Sequence, residues 1–482
     1  MDRQIRKVVI VLMVMFFILF AKLNDLQVVR ADKLATAPGN TRAITRDFNR
    51  ERGVIQTADG AIVAQSLPVD DEFERLRTYP EGALFAHISG YFSFTYGTEG
   101  VERTYNKDLA GRTAALSKPT DILSDRTRTG TVVLTLTKSL QQVAKDALGN
   151  RTGAVVALNP TDGAVLAMWS NPSFDPNPLA VHDQKAVQSS YTSLTADAGK
   201  PMLPRAFRRS YAPGSTFKVV TAAAALERRP ELAMKAYPSL RQLDLPQTTT
   251  DLPNFGGSSC GGTLPDLLRV SCNTGFAQLG LDMGAESLAG EADDFGFNQK
   301  PPLDLPATAT STFPGVDTFR QDQPALAKSA IGQQDVAATP LQMALVAAGV
   351  GNGGVIMKPH VMAEVRDSEG GVVRTYQPEQ WLKAMEPQNA AALRDMMITV
   401  VNNGTASRAA VPGVQVAAKT GTAQTVGDNS HAWLLAFAPA VQPTVAVAVI
   451  VESQPGLGDT VTGGRIAAPI AQAVLKAALG TP

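Results

Sequence analysis

Four apolar segments, placed as two pairs far apart along the 482-residue chain, constrain its fold more than any other feature. Residues 153–158 and 164–169 form the first pair and flank a turn with Pro and Asp-Gly, which is typical of a β-hairpin. Residues 431–438 and 444–451 form the second pair. Helical patterns fill the chain between the pairs. We therefore predict one α+β domain over residues 131–482, in which both pairs meet in a single antiparallel sheet.

The N-terminus carries an uncharged apolar run at residues 8–21, preceded by three basic residues. With the residues that follow, this run is long enough to cross a bilayer, and the basic flank favours a cytoplasmic N-terminus. We predict a cell-membrane protein with a cytoplasmic tail at residues 1–7, a transmembrane anchor at residues 8–25 and an extracytoplasmic remainder. The alternative is a cleaved signal peptide, for which the small residues at 35–37 lie unusually far beyond the apolar run.

Residues 26–130 are polar and rich in Arg, and residues 52–64 have the pattern of a hairpin with an Asp-Gly turn. No nucleophile stands next to a base there, so we interpret this region as a β-rich pedestal or interaction domain. Over the whole chain the formal net charge is zero and no basic stripe occurs, which argues against nucleic acid as a partner. The four histidines are scattered, so neither a metal site nor a cofactor is predicted.

Ser215 and Lys218 form a Ser-x-x-Lys motif where a Pro-Gly loop gives way to an Ala-rich helical pattern. Residues three apart share one face of a helix, so Nζ of the lysine can reach Oγ of the serine. A helix N-terminus adds positive potential, which favours an alkoxide. This arrangement is typical of a nucleophile with an attached base, although an isolated serine at a helix start is more often a simple cap.

Two further short motifs follow in the same domain. A Ser-x-Asn motif at residues 271–273 comes after a short helical pattern at 264–270, and a Lys-Thr-Gly motif at residues 419–421 follows a strand pattern at 414–418. Each motif alone occurs by chance, and its residues are also compatible with a turn or a bulge. Their occurrence in this order, each in a suitable local context, favours a single catalytic site.

The three motifs resemble those of the serine acyltransferases that react with penicillin. Other segments extend the resemblance to class B penicillin-binding proteins, and most closely to their actinobacterial A type, over nearly the whole chain: 52–53, 97–111, 153–177, 332–344 and 352–359. The resemblance implies a penicillin-binding transpeptidase domain, an antiparallel sheet sandwiched by helices, on an N-terminal β-rich pedestal with one transmembrane helix. Cys272, inside the Ser-x-Asn motif, is a departure that the generic pattern does not require.

The resemblance also implies catalytic roles. Ser215 would attack the penultimate D-alanine carbonyl of a stem peptide and form an acyl-enzyme with release of D-alanine. Lys218 is the expected general base, which requires desolvation or nearby positive charge to lower its pKa from the usual value of ~10.4. Lys419 would supply that charge, and Ser271 would relay protons between the lysines and the leaving nitrogen.

The remaining motif residues would bind substrate. Asn273 would hold the stem-peptide amide, and the hydroxyls of Thr420 and Thr422 would bind the terminal carboxylate. A side chain at Gly421 would block the close approach of a substrate that adds to the strand through main-chain hydrogen bonds. The backbone N–H groups of Ser215 and Thr422 are the expected oxyanion hole.

Cys260 and Cys272 are the only cysteines in the chain. A close pair in an exported domain is more often bridged than free, and a bridge would tether the Gly-rich loop at residues 256–262. We therefore expect a disulfide, with an inert buried thiol at Cys272 as the alternative. Closing a loop of about 13 residues in this way would stabilise the fold by about 3 kcal/mol.

These expectations describe a serine D,D-transpeptidase that cross-links peptidoglycan stem peptides during cell division or wall growth. Its expected partners are peptidoglycan or lipid II stem peptides, β-lactam antibiotics, the membrane, and a polymerase or another member of the divisome or elongasome. One alternative is a D,D-carboxypeptidase or β-lactamase-like hydrolase, in which water is the acceptor. Another is a non-catalytic scaffold or sensor that only binds β-lactams. The intact motifs argue against the scaffold, and the pedestal and anchor argue against a secreted β-lactamase.

Overall fold

The computed structural model describes residues 2–30, 34, 48, 51–71, 73–111, 129–424, 430–453 and 462–481. Helix Asp2–Asn24 continues as a π-helical turn, Asp25–Val29. The most apolar stretch of Arg3–Val29 has a mean hydropathy of 2.2, and this is the one helix among the described residues that is long and apolar enough to cross a membrane. The predicted anchor at residues 8–25 lies within it, whereas the alternative cleavage site at 35–37 lies outside the described residues.

A five-stranded antiparallel sheet, here the central sheet, forms the core of the larger part of the molecule. Its strands are, in spatial order, Ala417–Gln424, Ser430–Ala438, Val445–Val451, Gly153–Leu158 and Val165–Asn171. Both predicted strand pairs are present, and they meet where Val449 lies opposite Val155. Every residue of the two strands that pair there, Gly153–Leu158 and Val445–Val451, is buried, which is why each has a continuous apolar sequence. The single antiparallel sheet predicted for this domain is confirmed.

Helices pack against the central sheet. Ala468–Ala478 packs with Lys138–Leu148 against it, and Pro340–Gly351 packs against its three middle strands. Because Pro340–Gly351 is apolar on all sides, it is buried over almost its whole length. Other α-helices among the described residues after the anchor are Ala86–Ser89, Gly100–Thr104, Asn106–Leu109, Asn177–Ala180, Gln184–Ala196, Arg205–Arg208, Lys218–Arg228, Pro230–Ala233, Leu264–Val270, Asn273–Met283, Ala285–Asp294, Val316–Arg320, Gln323–Ser329 and Pro387–Asn403.

A six-stranded sheet, here the pedestal sheet, lies in the smaller part of the molecule. Its strands are, in spatial order, Val372–Thr375, Met362–Arg366, Thr131–Leu134, Ile55–Gln56, Ile62–Pro68 and Arg75–Thr78. The predicted hairpin is present, with Ile55 opposite Ala64. Thr131–Leu134 pairs with Ile55–Gln56 in parallel and with Met362–Arg366 in antiparallel orientation. The pedestal sheet therefore takes strands from both sides of residue 130.

Four short two-stranded sheets complete the strands of the described residues. They pair Phe92–Ser93 with Gly97–Thr98, Tyr237–Leu240 with Cys260–Gly262, Gln242–Asp244 with Asp251–Pro253, and Val355–Met357 with Gln380–Lys383. Two of them, which contain Asp251–Pro253 and Cys260–Gly262, precede the Ser-x-Asn motif and contact the helix that this motif begins. These small sheets therefore set the position of one wall of the candidate site.

The pedestal holds a buried ionic cluster. Glu102 accepts hydrogen bonds from Nε of Arg52 and Nε of Arg77, each at 2.6 Å, and the three side chains are at most 3% exposed. A buried charge is tolerated only when it is paired, and removing one partner typically costs about 3–5 kcal/mol. The cluster explains how a region so rich in Arg folds as a compact domain.

Candidate active site

Ser215 lies in a 3₁₀ turn, Gly214–Thr216, that leads directly into helix Lys218–Arg228. The turn is fixed from two sides: the N–H of Gly214 donates to the carbonyl of Gly332 at 2.9 Å, and the indole N–H of Trp433 donates to the carbonyl of Ala212 at 3.0 Å. Ser215 is half-buried while its neighbours in the turn are buried. The serine side chain thus stands at the surface of a rigid, packed turn, as a nucleophile requires.

Lys218 is fully buried and points to the Ser-x-Asn motif. Its Nζ donates to the carbonyl of Ser271 at 2.8 Å, to Oδ1 of Asn273 at 2.7 Å and, more distantly, to Oγ of Ser271 at 3.5 Å. Among the described residues, Ser215 Oγ is not one of its hydrogen-bond partners, in contrast to the direct bond expected from helical spacing. The physical reason is that the strong carbonyl and amide acceptors across the site take the lysine donors.

Lys419 approaches the same serine from the opposite side. Its Nζ donates to Oγ of Ser271 and to the carbonyl of Thr420, each at 2.8 Å, and the side chain is fully buried. Ser271 is therefore the residue on which both lysines converge. It ends helix Leu264–Val270 in the left-handed conformation, with φ 61°, a backbone state that non-glycine residues adopt only where surrounding contacts hold them.

Burial controls the protonation of both lysines. Desolvation, and after it the charge of Lys419, lowers the pKa of Lys218 well below its ordinary value. Desolvation alone lowers the pKa of Lys419 to about 7. Both changes favour the neutral amine, because a buried ammonium loses its hydration. A neutral Lys218 can accept a proton near pH 7, which an exposed lysine cannot do.

The Lys-Thr-Gly motif lies inside a strand rather than after one. The strand predicted at 414–418 is present from Ala417, and only its predicted start was wrong, because Val414 forms an isolated bridge with Val411 across a turn. The strand is Ala417–Gln424, in which Lys419 lies opposite Leu435. It is the last strand on its side of the central sheet, so its outer edge has main-chain groups that a peptide can pair with.

The fold itself gives a steric reason for the glycine at position 421. A Cβ at this position would lie 2.8 Å from Cγ2 of Thr216 and 3.0 Å from the carbonyl oxygen of Pro213. The turn that carries Ser215 therefore fills the position that a side chain at residue 421 would occupy, and the expected role in substrate approach stays a prediction. The glycine sets the distance between the nucleophile turn and the strand.

The two predicted carboxylate-binding threonines differ in their surroundings. Thr420 is buried, and its hydroxyl shares a hydrogen bond of 2.6 Å with the hydroxyl of Thr405. Thr422 is half-buried, next to the strand edge. Thr405 was not predicted as a site residue, because it lies in a loop without a motif and contacts Thr420 only through the tertiary fold.

Asn273 begins helix Asn273–Met283 and faces Lys218 through its side-chain oxygen.

Cys260 and Cys272 are joined by a disulfide, with a Cα–Cα distance of 5.8 Å. The bridge connects the strand Cys260–Gly262 directly to the Ser-x-Asn motif. No group of three or more His, Cys, Asp or Glu side chains that could hold a metal ion occurs in the described part of the chain.

A serine on a rigid turn, two buried lysines and a shared second serine define an acyl-transferring serine enzyme on an α+β fold. Comparison with known proteins identifies the family. A family model described as the penicillin-binding protein transpeptidase domain matches residues 153–476, and one described as the penicillin-binding protein A dimerisation domain matches residues 52–133.

Individual relatives match over nearly the full length. The peptidoglycan D,D-transpeptidase PbpA of Mycolicibacterium smegmatis is 40% identical over 99% of both chains, and that of Mycobacterium tuberculosis is 36% identical over 99% of both. The solved structure of penicillin-binding protein A from M. tuberculosis as a ceftriaxone acyl-enzyme complex has a TM-score of 0.83 at 36% identity, covering 90% of this chain and 99% of that one. Its imipenem acyl-enzyme complex has a TM-score of 0.82. The chain belongs to the class B penicillin-binding proteins of the PbpA type, which are serine-type peptidoglycan D,D-transpeptidases.

Proposed function

We propose that this chain cross-links peptidoglycan stem peptides by acyl transfer through Ser215. The observation that carries the proposal is the position of Ser271, whose hydroxyl lies 2.8 Å from Nζ of Lys419 and 3.5 Å from Nζ of Lys218. The hydroxyl of Ser271 therefore connects Lys218, the proposed base, to the second buried lysine, Lys419. The contact with Lys419 is within the distance for direct proton transfer and the contact with Lys218 lies just beyond it, so a small movement of one side chain completes the path.

In the proposed acylation step, Ser215 Oγ attacks the carbonyl carbon of the penultimate D-alanine and its proton passes to neutral Lys218. The N–H groups of Ser215 and Thr422 stabilise the oxyanion, an effect of about 3 kcal/mol for each donor in other acyl-transfer enzymes. The C–N bond then breaks, and a proton relayed from Lys218 through Ser271 reaches the nitrogen of the departing D-alanine. A β-lactam acylates Ser215 in the same way, with its ring opened instead of a group released.

In the proposed second step, the amine of another stem peptide attacks the acyl-Ser215 carbonyl. Its proton returns through Lys218 to Ser215 Oγ as the C–O bond breaks, which regenerates the free enzyme. The outer edge of strand Ala417–Gln424 supports this proposal, because it offers an extended stem peptide main-chain partners next to Ser215. Asn273 and Thr422 are positioned to hold the peptide amide and the terminal carboxylate, with Thr420 acting together with Thr405.

Replacement of the nucleophile tests the proposal. We expect Ser215→Ala to abolish covalent labelling by a fluorescent penicillin, because the neighbouring hydroxyl in the turn, that of Thr216, is buried and donates to the carbonyl of Pro213 at 2.7 Å. The melting temperature should stay close to that of the wild type. Ser193→Ala, an exposed serine on helix Gln184–Ala196, is the matched control and should label fully. Stoichiometric labelling of Ser215→Ala would refute the nucleophile assignment.

We further propose that the N-terminus is cytoplasmic and the catalytic part extracytoplasmic, where stem peptides occur. The basic residues before the anchor support this orientation, and the disulfide supports an oxidising compartment.

The side chains from Arg3 to Asn24 are all exposed in the isolated chain, which leaves the anchor free to pack against a membrane-embedded polymerase of the divisome or elongasome. Photocrosslinking from the anchor in growing cells tests for this partner, and a failure to capture a polymerase contradicts it.

A further inference from the structure

Asn254, which no motif contains, contacts the start of the helix that carries Asn273. It directly follows strand Asp251–Pro253 and is 4% exposed. Its Oδ1 accepts hydrogen bonds from the backbone N–H of Asn273 at 2.9 Å and from that of Thr274 at 3.0 Å. The side chain thus satisfies two N–H groups that the helix itself leaves without a partner.

The local sequence of the helix lacks such a cap. The residue before the helix is Cys272, which makes no side-chain capping hydrogen bond and is held in the disulfide. Asn254 supplies the cap from 19 residues upstream. Its orientation is fixed by its Nδ2, which donates to the carbonyls of Leu240 at 2.8 Å and Ser258 at 3.1 Å. A buried amide with all of these bonds has one defined position.

The same segment also holds the side chain of Asn273. Nδ2 of Asn273 donates to the carbonyl of Pro253 at 3.2 Å, while its Oδ1 accepts from Nζ of Lys218 at 2.7 Å. Pro253 and Asn254 therefore fix Asn273 by its side chain and its backbone. Lys218 in turn is held by Asn273 and by the carbonyl of Ser271. A displacement at Asn254 is transmitted to the general base through two hydrogen bonds.

We propose that Asn254 is a positioning residue for acylation: by capping the Ser-x-Asn helix it holds Asn273 and Ser271 where they orient and shield Lys218. This inference rests on the proposed roles of Ser215 and Lys218. Asn254 itself contacts neither the nucleophile nor the lysine among the hydrogen bonds of the described residues.

The first test is the second-order rate of acylation by a fluorescent penicillin. We expect Asn254→Ala to lower this rate by roughly 100-fold, the size of effect that a misplaced catalytic group produces. Asn254→Asp keeps the acceptor for both N–H groups but places a carboxylate oxygen against the carbonyls of Leu240 and Ser258, so it should recover only part of the loss. Asn177→Ala is the matched control, because Asn177 also bridges a distant backbone, accepting from the N–H of Tyr79 at 2.8 Å away from the site. It should acylate at the wild-type rate.

The second test distinguishes positioning from a general loss of stability. Looser packing admits water to Lys218, whose neighbours are Ser271, Asn273, the ring of Phe276 and the one charged group that acts on it, Lys419. The acid limb of the pH–rate profile should therefore move to higher pH in Asn254→Ala. Hydrogen exchange at the amides of residues 273 and 274 should accelerate. Neither change is expected in Asn177→Ala.

Each outcome decides the inference. Acylation of Asn254→Ala within a factor of about two of the wild type, with an unchanged pH profile, overturns it. If Asn254→Ala does not fold, Asn254→Ser, whose side-chain oxygen is one bond shorter than that of Asn, decides: a folded Ser variant with slowed acylation supports the inference, and one that acylates at the wild-type rate overturns it. Ser215→Ala is measured alongside. Labelling that survives in Ser215→Ala refutes the proposed function, whereas its loss together with a normal Asn254→Ala refutes only the role of Asn254.

Discussion

At the scale of single residues, the site depends on placing two lysines where an ammonium is poorly solvated. Lys218 and Lys419 are both fully buried, and the pKa of each is lowered by that burial. A buried amine gives a base that is neutral near pH 7, but it also destabilises the folded protein wherever the unfolded chain holds the proton more tightly. Catalytic fitness and stability therefore oppose each other at these two positions.

This opposition predicts a pH-dependent effect of Lys419→Met. The pKa of Lys419 is about 7 in the folded protein and near 10.5 when unfolded. The free-energy cost of burying Lys419 is complete below pH 7 and falls to zero as the pH rises toward 10.5. Between these two values only the unfolded chain binds the proton. The variant has no such titration, so its gain in unfolding free energy relative to the wild type should fall by up to ~1.4 kcal/mol per pH unit between pH 7 and 9.

Thermal melting of both proteins from pH 6 to 9 checks the prediction for Lys419→Met. The difference in melting temperature should be nearly constant between pH 6 and 7 and should then shift in favour of the wild type. A difference that stays constant across the whole range contradicts a lowered pKa at Lys419. Lys476→Met, which replaces a half-buried lysine in helix Ala468–Ala478, is the matched control and should show no such change.

At the scale of elements, the site lies where one turn packs against one strand. The Gly214–Thr216 turn lies against strand Ala417–Gln424 so closely that neither side has room for another carbon. Gly214 has φ +52°, and a Cβ on it would lie 2.8 Å from the carbonyl oxygen of Thr422. The separation between the nucleophile and the proposed oxyanion donor of Thr422 is therefore set by backbone packing, not by flexible side chains.

Gly421→Ala should consequently push the turn away from the strand. The added carbon meets Thr216 and the Pro213 carbonyl at or below 3.0 Å, and overpacking of this kind costs about 1–3 kcal/mol. We expect a lower melting temperature and a loss of acylation of roughly 100-fold, because the oxyanion donors no longer match the carbonyl. Gly315→Ala has nothing within 4 Å of the added carbon and should change neither measurement.

The proposed catalytic residues at this contact between turn and strand can be identified from the sequence, but the contacts that hold them cannot. Ser215, Lys218 and Lys419 are predictable because their types and order identify the motifs. Asn254 and Thr405 are not predictable, since each meets its partner only after strands and loops pack together. Likewise, residue types alone predict that Lys218 is a base, but only the packed site reveals that its hydrogen bonds go to Ser271 and Asn273.

At the scale of the whole molecule, the catalytic part and the pedestal are joined through partly buried polar contacts. The hydroxyl of Tyr105 in the pedestal donates to Asp304, which also accepts from the N–H groups of Val361 at 2.7 Å and Met362 at 3.1 Å. Met362 begins a strand of the pedestal sheet. The strand patterns predict the central sheet and one hairpin of the pedestal sheet, but residues 362–375 give no local sign that they belong to the pedestal, because strand partners distant in sequence are chosen by tertiary packing.

The proposed orientation of this joined molecule predicts a pattern of thiol accessibility. The chain has no cysteine other than the bridged pair, so an added cysteine is the one free thiol. Met234 is 82% exposed on the catalytic part, and Arg3 precedes the predicted anchor at residues 8–25. In protoplasts, an impermeant maleimide should label Met234→Cys directly and Arg3→Cys only after permeabilisation, because the bilayer separates the two positions.

The wild-type chain is the control in the same experiment, and it also tests the disulfide. It should gain no label before reduction and two labels after denaturation and reduction, as intact mass will show. Labelling of Arg3→Cys in sealed protoplasts would reverse the proposed orientation and place the site away from its substrate. Labelling of the unreduced wild type would instead leave the orientation intact and show that Cys260 and Cys272 are thiols. The two proposals therefore fail separately, although both follow from an extracytoplasmic location of Ser215.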